Sequence, residues 1–219
     1  MAGSIAVPVG DIAQPLVDGL CAASSKLRVG RTDGDAQVDM GPLITRAHRD
    51  RVREYLDIGR DEGAELVLDG SQVSVEDGPE GFFIGPSVFD RVQPEMRVAR
   101  DEIFGPVLSV IRVATVDEAI ALGHDCPYGN GAAIFTRSGY AARRFKREFN
   151  AGMIGINVAV PAPMAWFPFT GQNRSFFGDL HSQGMESVHF YTQQRVTMTR
   201  WFEDDGREFH DPIWSDRRG

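Results

Sequence analysis

Hydrophobic and polar positions alternate with two periods along this chain, and the switches between them outline an α/β fold. Ile5, Val7 and Val9 alternate with Ser4, Ala6 and Pro8, the two-residue period of a strand. A helical pattern opens at Asp11, with Leu16, Leu20 and Ala23 on one stripe, and is expected to end near Gly30. Residues 31–40 are polar and loop-like, and Gly41-Pro42 marks a turn. Thr45 is placed to cap a helix that carries Val52, Tyr55, Leu56 and Gly59 at three- and four-residue spacing. Gly63 is a stop, because glycine enters the left-handed cap conformation without a Cβ penalty.

Strands are predicted at Glu65–Leu68, at Phe82–Phe89 with an interruption at Gly85-Pro86, and at Val107–Val113. Thr115-Val116-Asp117-Glu118 reads as a capping box opening a helix that buries Val116, Ala119 and Ile120. Ala132–Phe135 is a compact apolar strand. Ser138 caps a helix with Ala142, Phe145 and Phe149 on one face. Met153–Val160 is too apolar to have one wet face, so it is expected at the centre of a sheet. Strands alternating with helices imply an α/β class with a mostly parallel sheet and flanking helices. No repeat of 20–50 residues is present. The polar composition from Phe202 onward predicts a frayed tail over 202–219.

Charge removes some function classes. The 219 residues carry a net charge of −8, which opposes binding to a phosphate backbone. The one basic run, Arg143-Arg144-Phe145-Lys146-Arg147, lies on a helical pattern and reads as a solvated face. No stretch is long and apolar enough for a membrane span. Two cysteines, Cys21 and Cys126, are too few for a disulfide framework and suit a reducing compartment. The expected location is cytoplasmic, with no nucleic acid and no membrane as partner. The five histidines lack metal-ligand spacing, so no metal site is expected.

Two local patterns could carry chemistry. His124-Asp125-Cys126 sets an imidazole and a carboxylate beside a thiol, as a nucleophilic site requires. Consecutive residues rarely face one another, however, and a helix end running into Pro127-Tyr128-Gly129 is the simpler reading. Arg100-Asp101-Glu102-Ile103-Phe104-Gly105-Pro106 is more informative: a carboxylate and an aromatic ring immediately before a strand, where α/β sheets gather ligands. A glutamate there can accept hydrogen bonds from a sugar diol, and a phenylalanine can pack on a flat ring.

Glu102-Ile103-Phe104-Gly105-Pro106-Val107 resembles the EIFGPV signature of the NAD-dependent aldehyde dehydrogenase superfamily. Five further segments resemble that family in order: Met40–Ile44, Gly81–Val88, Pro127–Thr136, Gly152–Val158 and Tyr191–Val196. Pro168-Phe169-Thr170-Gly171 followed by Ser175-Phe176-Phe177-Gly178-Asp179 is similar to the CoA-acylating methylmalonate-semialdehyde dehydrogenase branch, as is the Pro-rich Val160–Met164.

The resemblance implies a catalytic-domain fold over residues 1–190, an oligomerisation strand over 191–201 and homo-oligomers, dimer or tetramer. Glu102 and Phe104 would bind the nicotinamide half of NAD. Phe167 and Phe169, with the segment from Pro161, would line the aldehyde tunnel. The reaction implied is thiolate attack on a small aldehyde, oxidation by NAD and transfer of the acyl group to coenzyme A. In that alignment Met1 follows the family's nucleophilic cysteine, so no catalytic residue is expected in this chain. The cofactor domain would also precede it, and the chain alone is expected to be inactive and to self-associate. The rival readings are a non-catalytic oligomerisation or binding module of the same fold, and an independent Cys126 thiol enzyme.

Overall fold

A computed structural model of the chain describes residues 3–34, 37–76, 78 and 80–201. The predicted polar tail, like Met1, lies outside the described residues. Four strands form the larger sheet: β1 (Ile5–Ala6), β2 (Glu65–Leu68), β3 (Ser87–Asp90) and β4 (Val107–Val110), in the order β1-β4-β3-β2. The β1–β4 and β4–β3 pairs are parallel and β3–β2 is antiparallel. Helix α1 (Ala13–Ser24) covers one face, where Val17 packs with Val88 and Val110. Helices α2 (Arg46–Asp61) and α3 (Arg97–Arg100) cover the other, where Val52, Tyr55 and Leu56 meet Phe89, Val107 and Ile111. A strand covered on both faces has no wet side, and all four residues of β3 are buried.

Burying β3 encloses polar side chains, and each has a partner. Ser87 Oγ accepts from Gly70 N at 3.0 Å. Asp90 accepts from Arg91 N at 2.8 Å and is gripped by both Nε and Nη2 of Arg112. Burial pushes the Asp90 carboxyl up, but the Arg112 and Arg91 hydrogen bonds outweigh it and leave its pKa below the ordinary value.

The remaining elements are α4 (Val116–Asp125), β5 (Tyr128–Gly129), β6 (Gly131–Ile134), α5 (Gly139–Glu148), β7 (Met153–Ile156), β8 (Gln172–Asn173) and α6 (Gly184–Tyr191). β6 and β7 pair in parallel, and β5 and β8 pair antiparallel. Thr45, Thr115 and Ser138 cap α2, α4 and α5 as their sequence contexts predict, each accepting a backbone N–H three residues on.

Four expectations are corrected. In β1, an edge strand, the half-buried Ala6 packs against the Val17, Val88 and Val110 cluster and Ile5 is exposed, and Pro8 just beyond the strand is buried. The stripe of α1 is Ala13 and Val17 with Leu20 and Cys21, not Leu16 and Ala23, and the helix ends at Ser24. A turn of 3-10 helix at Gly10–Ile12 feeds α1 and sets that rotation. The regular ladder of β4 stops at Val110, although Val113 still bridges to Val9. Met153–Val160 is not central: among the described residues β7 pairs only with β6, and it ends at Ile156. Asn157 ends it by adopting φ +55° and turning its side chain onto the N–H and C=O of Thr136, at 2.9 and 3.2 Å. Helices α3 and α6 and strand β8 carry too few periodic positions to be read beforehand.

Candidate functional site

The turn from α3 into β4, residues 101–106, is tied to α2 at three points along one side of that helix. His48, Arg51 and Tyr55 supply them, spaced three and four residues apart so that they stack above one another. The Tyr55 hydroxyl donates to Asp101 Oδ2 at 2.8 Å. Arg51 Nη2 donates to the Glu102 carbonyl at 3.3 Å. His48 Nε2 lies 2.7 Å from the Phe104 carbonyl.

Packing closes the turn onto the same helix. Ile103 is buried in the core formed by α2 and β4. A Cβ at Gly105 would lie 2.6 Å from Val52 Cγ2, so only glycine permits this approach. Arg51 and Arg97 each lie over the Tyr55 ring, 5.3 and 5.2 Å from its centroid. The hydrogen bond from Tyr55, joined by that from Arg97 at 3.2 Å, holds the Asp101 carboxyl below its ordinary pKa.

What the turn leaves outside is the pair singled out from the sequence. Glu102 is exposed, and among the described residues its carboxylate meets no cation within ion-pair distance; only its carbonyl is engaged. Phe104 is 77% exposed and sits at φ +62°, a conformation that costs a non-glycine residue about 1–2 kcal/mol. An exposed carboxylate can accept both hydroxyls of a vicinal diol, and a bare ring can pack on a flat heterocycle. The chain therefore holds a carboxylate and an aromatic face in solvent against the conformational preference of the residue that carries the ring.

Phe167 and Phe169 lie elsewhere, in the segment between β7 and β8. Phe169 N donates to Ser182 O at 2.7 Å, and Phe167 N to Met164 O at 2.9 Å. Gly184, at φ +59°, lets the start of α6 close on this segment: a Cβ there would lie 2.7 Å from the Trp166 carbonyl. His181 Nδ1 pairs with Glu186 at 2.8 Å while its ring stacks on Phe176 at 4.0 Å. Phe167 and Trp166 remain exposed. No hydrogen bond or ring contact among the described residues joins this group to Glu102 or Phe104. The His124-Asp125-Cys126 trio is not assembled: His124 Nε2 engages the Glu148 carbonyl at 2.5 Å. Cys21 packs as a small hydrophobe against Val17, and its thiol pKa is raised by burial and by Asp18 and Asp90.

The profile of the aldehyde dehydrogenase family matches residues 1–197. The chain belongs to this family. Among curated relatives, malonate-semialdehyde dehydrogenase 1 of Geobacillus thermodenitrificans is 49% identical over 201 residues, 92% of this chain and 41% of the relative. Among solved structures, a methylmalonate-semialdehyde dehydrogenase from Oceanimonas doudoroffii superposes with a TM-score of 0.88 at 45% identity, over 91% of this chain and 41% of that one. A Sinorhizobium meliloti protein provisionally described as a methylmalonate-semialdehyde dehydrogenase, solved with NAD, gives 0.89 at 43% identity, with the same coverages. The chain thus spans about two-fifths of the length of the aldehyde dehydrogenases it matches. The mostly parallel sheet with flanking helices is part of the aldehyde dehydrogenase fold. Sequence reasoning missed His48, Arg51 and Tyr55; their spacing was visible, but their partners lie 46 to 56 residues further along the chain. No helix among the described residues is long and apolar enough to cross a membrane, and no cluster of metal-ligating side chains occurs among them.

Proposed function

We propose that these residues are the C-terminal portion of an NAD-dependent, CoA-acylating dehydrogenase of malonate or methylmalonate semialdehyde. The observation that carries the reading is the Glu102–Phe104 turn, held bare and in a disfavoured conformation by three bonds to α2. Similarity to malonate-semialdehyde dehydrogenases along 92% of the chain supports the substrate class.

The residues fit a nicotinamide dinucleotide. Glu102 would accept the hydroxyls of the nicotinamide ribose, and Phe104 would pack beside the nicotinamide and shield it from water. Bound there, the cofactor supplies the hydride acceptor for aldehyde oxidation. Phe167 and Phe169 would give the aldehyde an apolar wall, and coenzyme A would take the acyl group. Neither cysteine of the chain would supply the nucleophilic thiol: Cys21 packs from α1 against the Val17, Val88 and Val110 cluster, and Cys126 sits at the end of α4 while His124 engages the Glu148 carbonyl. These two free thiols support a reducing, cytoplasmic setting.

Residues 192–201 form no ladder among the described residues, and Val196, Met198 and Trp201 are bare. That supports pairing of 191–201 with another subunit in a homo-oligomer, which light scattering would read as a mass above that of one chain.

With malonate semialdehyde, NAD and CoA, the 219-residue chain should form no NADH above a Glu102→Ala control. A chimera carrying the upstream portion of the Geobacillus relative should form NADH in a CoA-dependent way. In that chimera Glu102→Ala should cut turnover about tenfold, the order of one transition-state hydrogen bond to a charged group. A folded chimera without activity, or one indifferent to Glu102→Ala, refutes the assignment.

A further inference from the structure

The Phe104 carbonyl can only accept a hydrogen bond, so the His48 nitrogen 2.7 Å away, Nε2, carries a proton. His48 is itself held: its backbone N–H is bonded to the Thr45 cap at 3.1 Å, and its ring meets the Phe104 ring edge-on at 6.4 Å. On either side of Phe104 the chain is fixed by the buried Ile103 and by Gly105 against Val52. Within residues 101–106 only Phe104 adopts a positive φ, and His48 grips the carbonyl of that residue.

We propose that His48 is a positioning residue: its Nε2–H holds the Phe104 carbonyl and keeps the turn in the left-handed conformation that presents Phe104 and Glu102. The inference rests on the reading of that turn as the nicotinamide-binding edge, and it adds the group that sets the geometry of the edge. His48 acts through the main chain, and its donor is the same whether the imidazole is neutral at Nδ1 or charged.

Chymotrypsin can test the latch on the 219-residue chain without any activity. A protease needs an extended, mobile segment, and the latch denies it one at Phe104. Phe177, 92% exposed and outside the turn, is the internal reference. The readout is the rate of cleavage after Phe104 divided by that after Phe177. His48→Leu removes the donor. His48→Gln restores an amide nitrogen at the position of Nε2, and His48→Asn places one too short to reach.

The ratio should rise about tenfold in the Leu and Asn variants and return to within about twofold of the parent in the Gln variant. Global loosening would raise both rates together and leave the ratio unchanged. An unchanged ratio in the Leu or Asn variant, or a Gln variant no better than Asn, overturns the proposal; the Asn–Gln pair decides if the Leu variant does not fold. Added NAD reports on the underlying reading separately, in the chimera that carries the upstream portion of the Geobacillus relative. Protection of Phe104 there supports that reading. A folded chimera in which NAD gives no protection overturns it, while the ratio in the 219-residue chain still judges the latch.

Discussion

Two glycines in helix interiors should respond to the same substitution with opposite signs. Gly19 in α1 has nothing within 4 Å of the position a Cβ would take. Gly19→Ala should therefore stabilise the fold by about 0.5–1 kcal/mol, from helix propensity alone. Gly59 in α2 faces the core, where a Cβ would lie 2.5 Å from Phe89 Cζ, 2.7 Å from Phe89 Cε1 and 3.0 Å from Val98 Cγ1. Phe89 is fully buried and Val98 nearly so, and no flexible side-chain end is available to move aside. Overpacking of this kind costs about 1–3 kcal/mol. Against the same propensity gain, Gly59→Ala should be destabilising by about 1 kcal/mol. Both changes restrict the unfolded chain equally, so that contribution drops out of the comparison. Urea unfolding followed by circular dichroism should place the two midpoints on opposite sides of the parent, with the slope unchanged. In heat, with about 2–4 °C per kcal/mol, the melting points should separate by several degrees. Midpoints that move together would refute the claim that α2 is seated against Phe89 as closely as described.

Arg112→Met should cost about 3–5 kcal/mol at neutral pH, because it strands the buried Asp90 carboxylate. Asp90 titrates below its unfolded value of about 3.9, so the pair stabilises the fold above that pH and the contribution is lost as pH falls through the folded value. The gap between parent and variant should therefore shrink in acid, and a gap constant from pH 7 to pH 3 would refute the pairing. Tyr55→Phe should cost about 1 kcal/mol and let the Asp101 pKa rise toward the ordinary value. An unmoved Asp101 titration in carbon-13 NMR would contradict the bond.

Helix α2 was legible in full because cap, stripe and stop are local: Thr45, the Val52-Tyr55-Leu56-Gly59 face and Gly63 all take their expected places. Strand ends were less legible. Nothing within Met153–Val160 says that Asn157 will turn onto Thr136, 21 residues earlier in the chain. The rotation of α1 was set from outside the helix, by the turn that feeds it. Glu102 and Phe104 stood out as a carboxylate and a ring before a strand, and both are exposed. The latch beneath them did not stand out, because a histidine on a polar helix face gives no sign of a carbonyl 56 residues away.

Helix α4 joins the two halves of the molecule through adjacent residues. Leu122 packs against the core under the four-stranded sheet, while Gly123 receives the Phe149 ring, which would come within 2.3 Å of any Cβ there. Phe149 in turn stacks on the buried Phe145 of α5, with ring centroids 4.6 Å apart. An opening of α5 therefore uncovers the back of α4, and a loss of α4 uncovers part of the larger core. In the language of hydrogen exchange, the two sheets are separate in their ladders and linked in their protection. A disturbance at β7 has a path through α5 and then α4 to the core that holds Ile103, in the turn that carries Glu102.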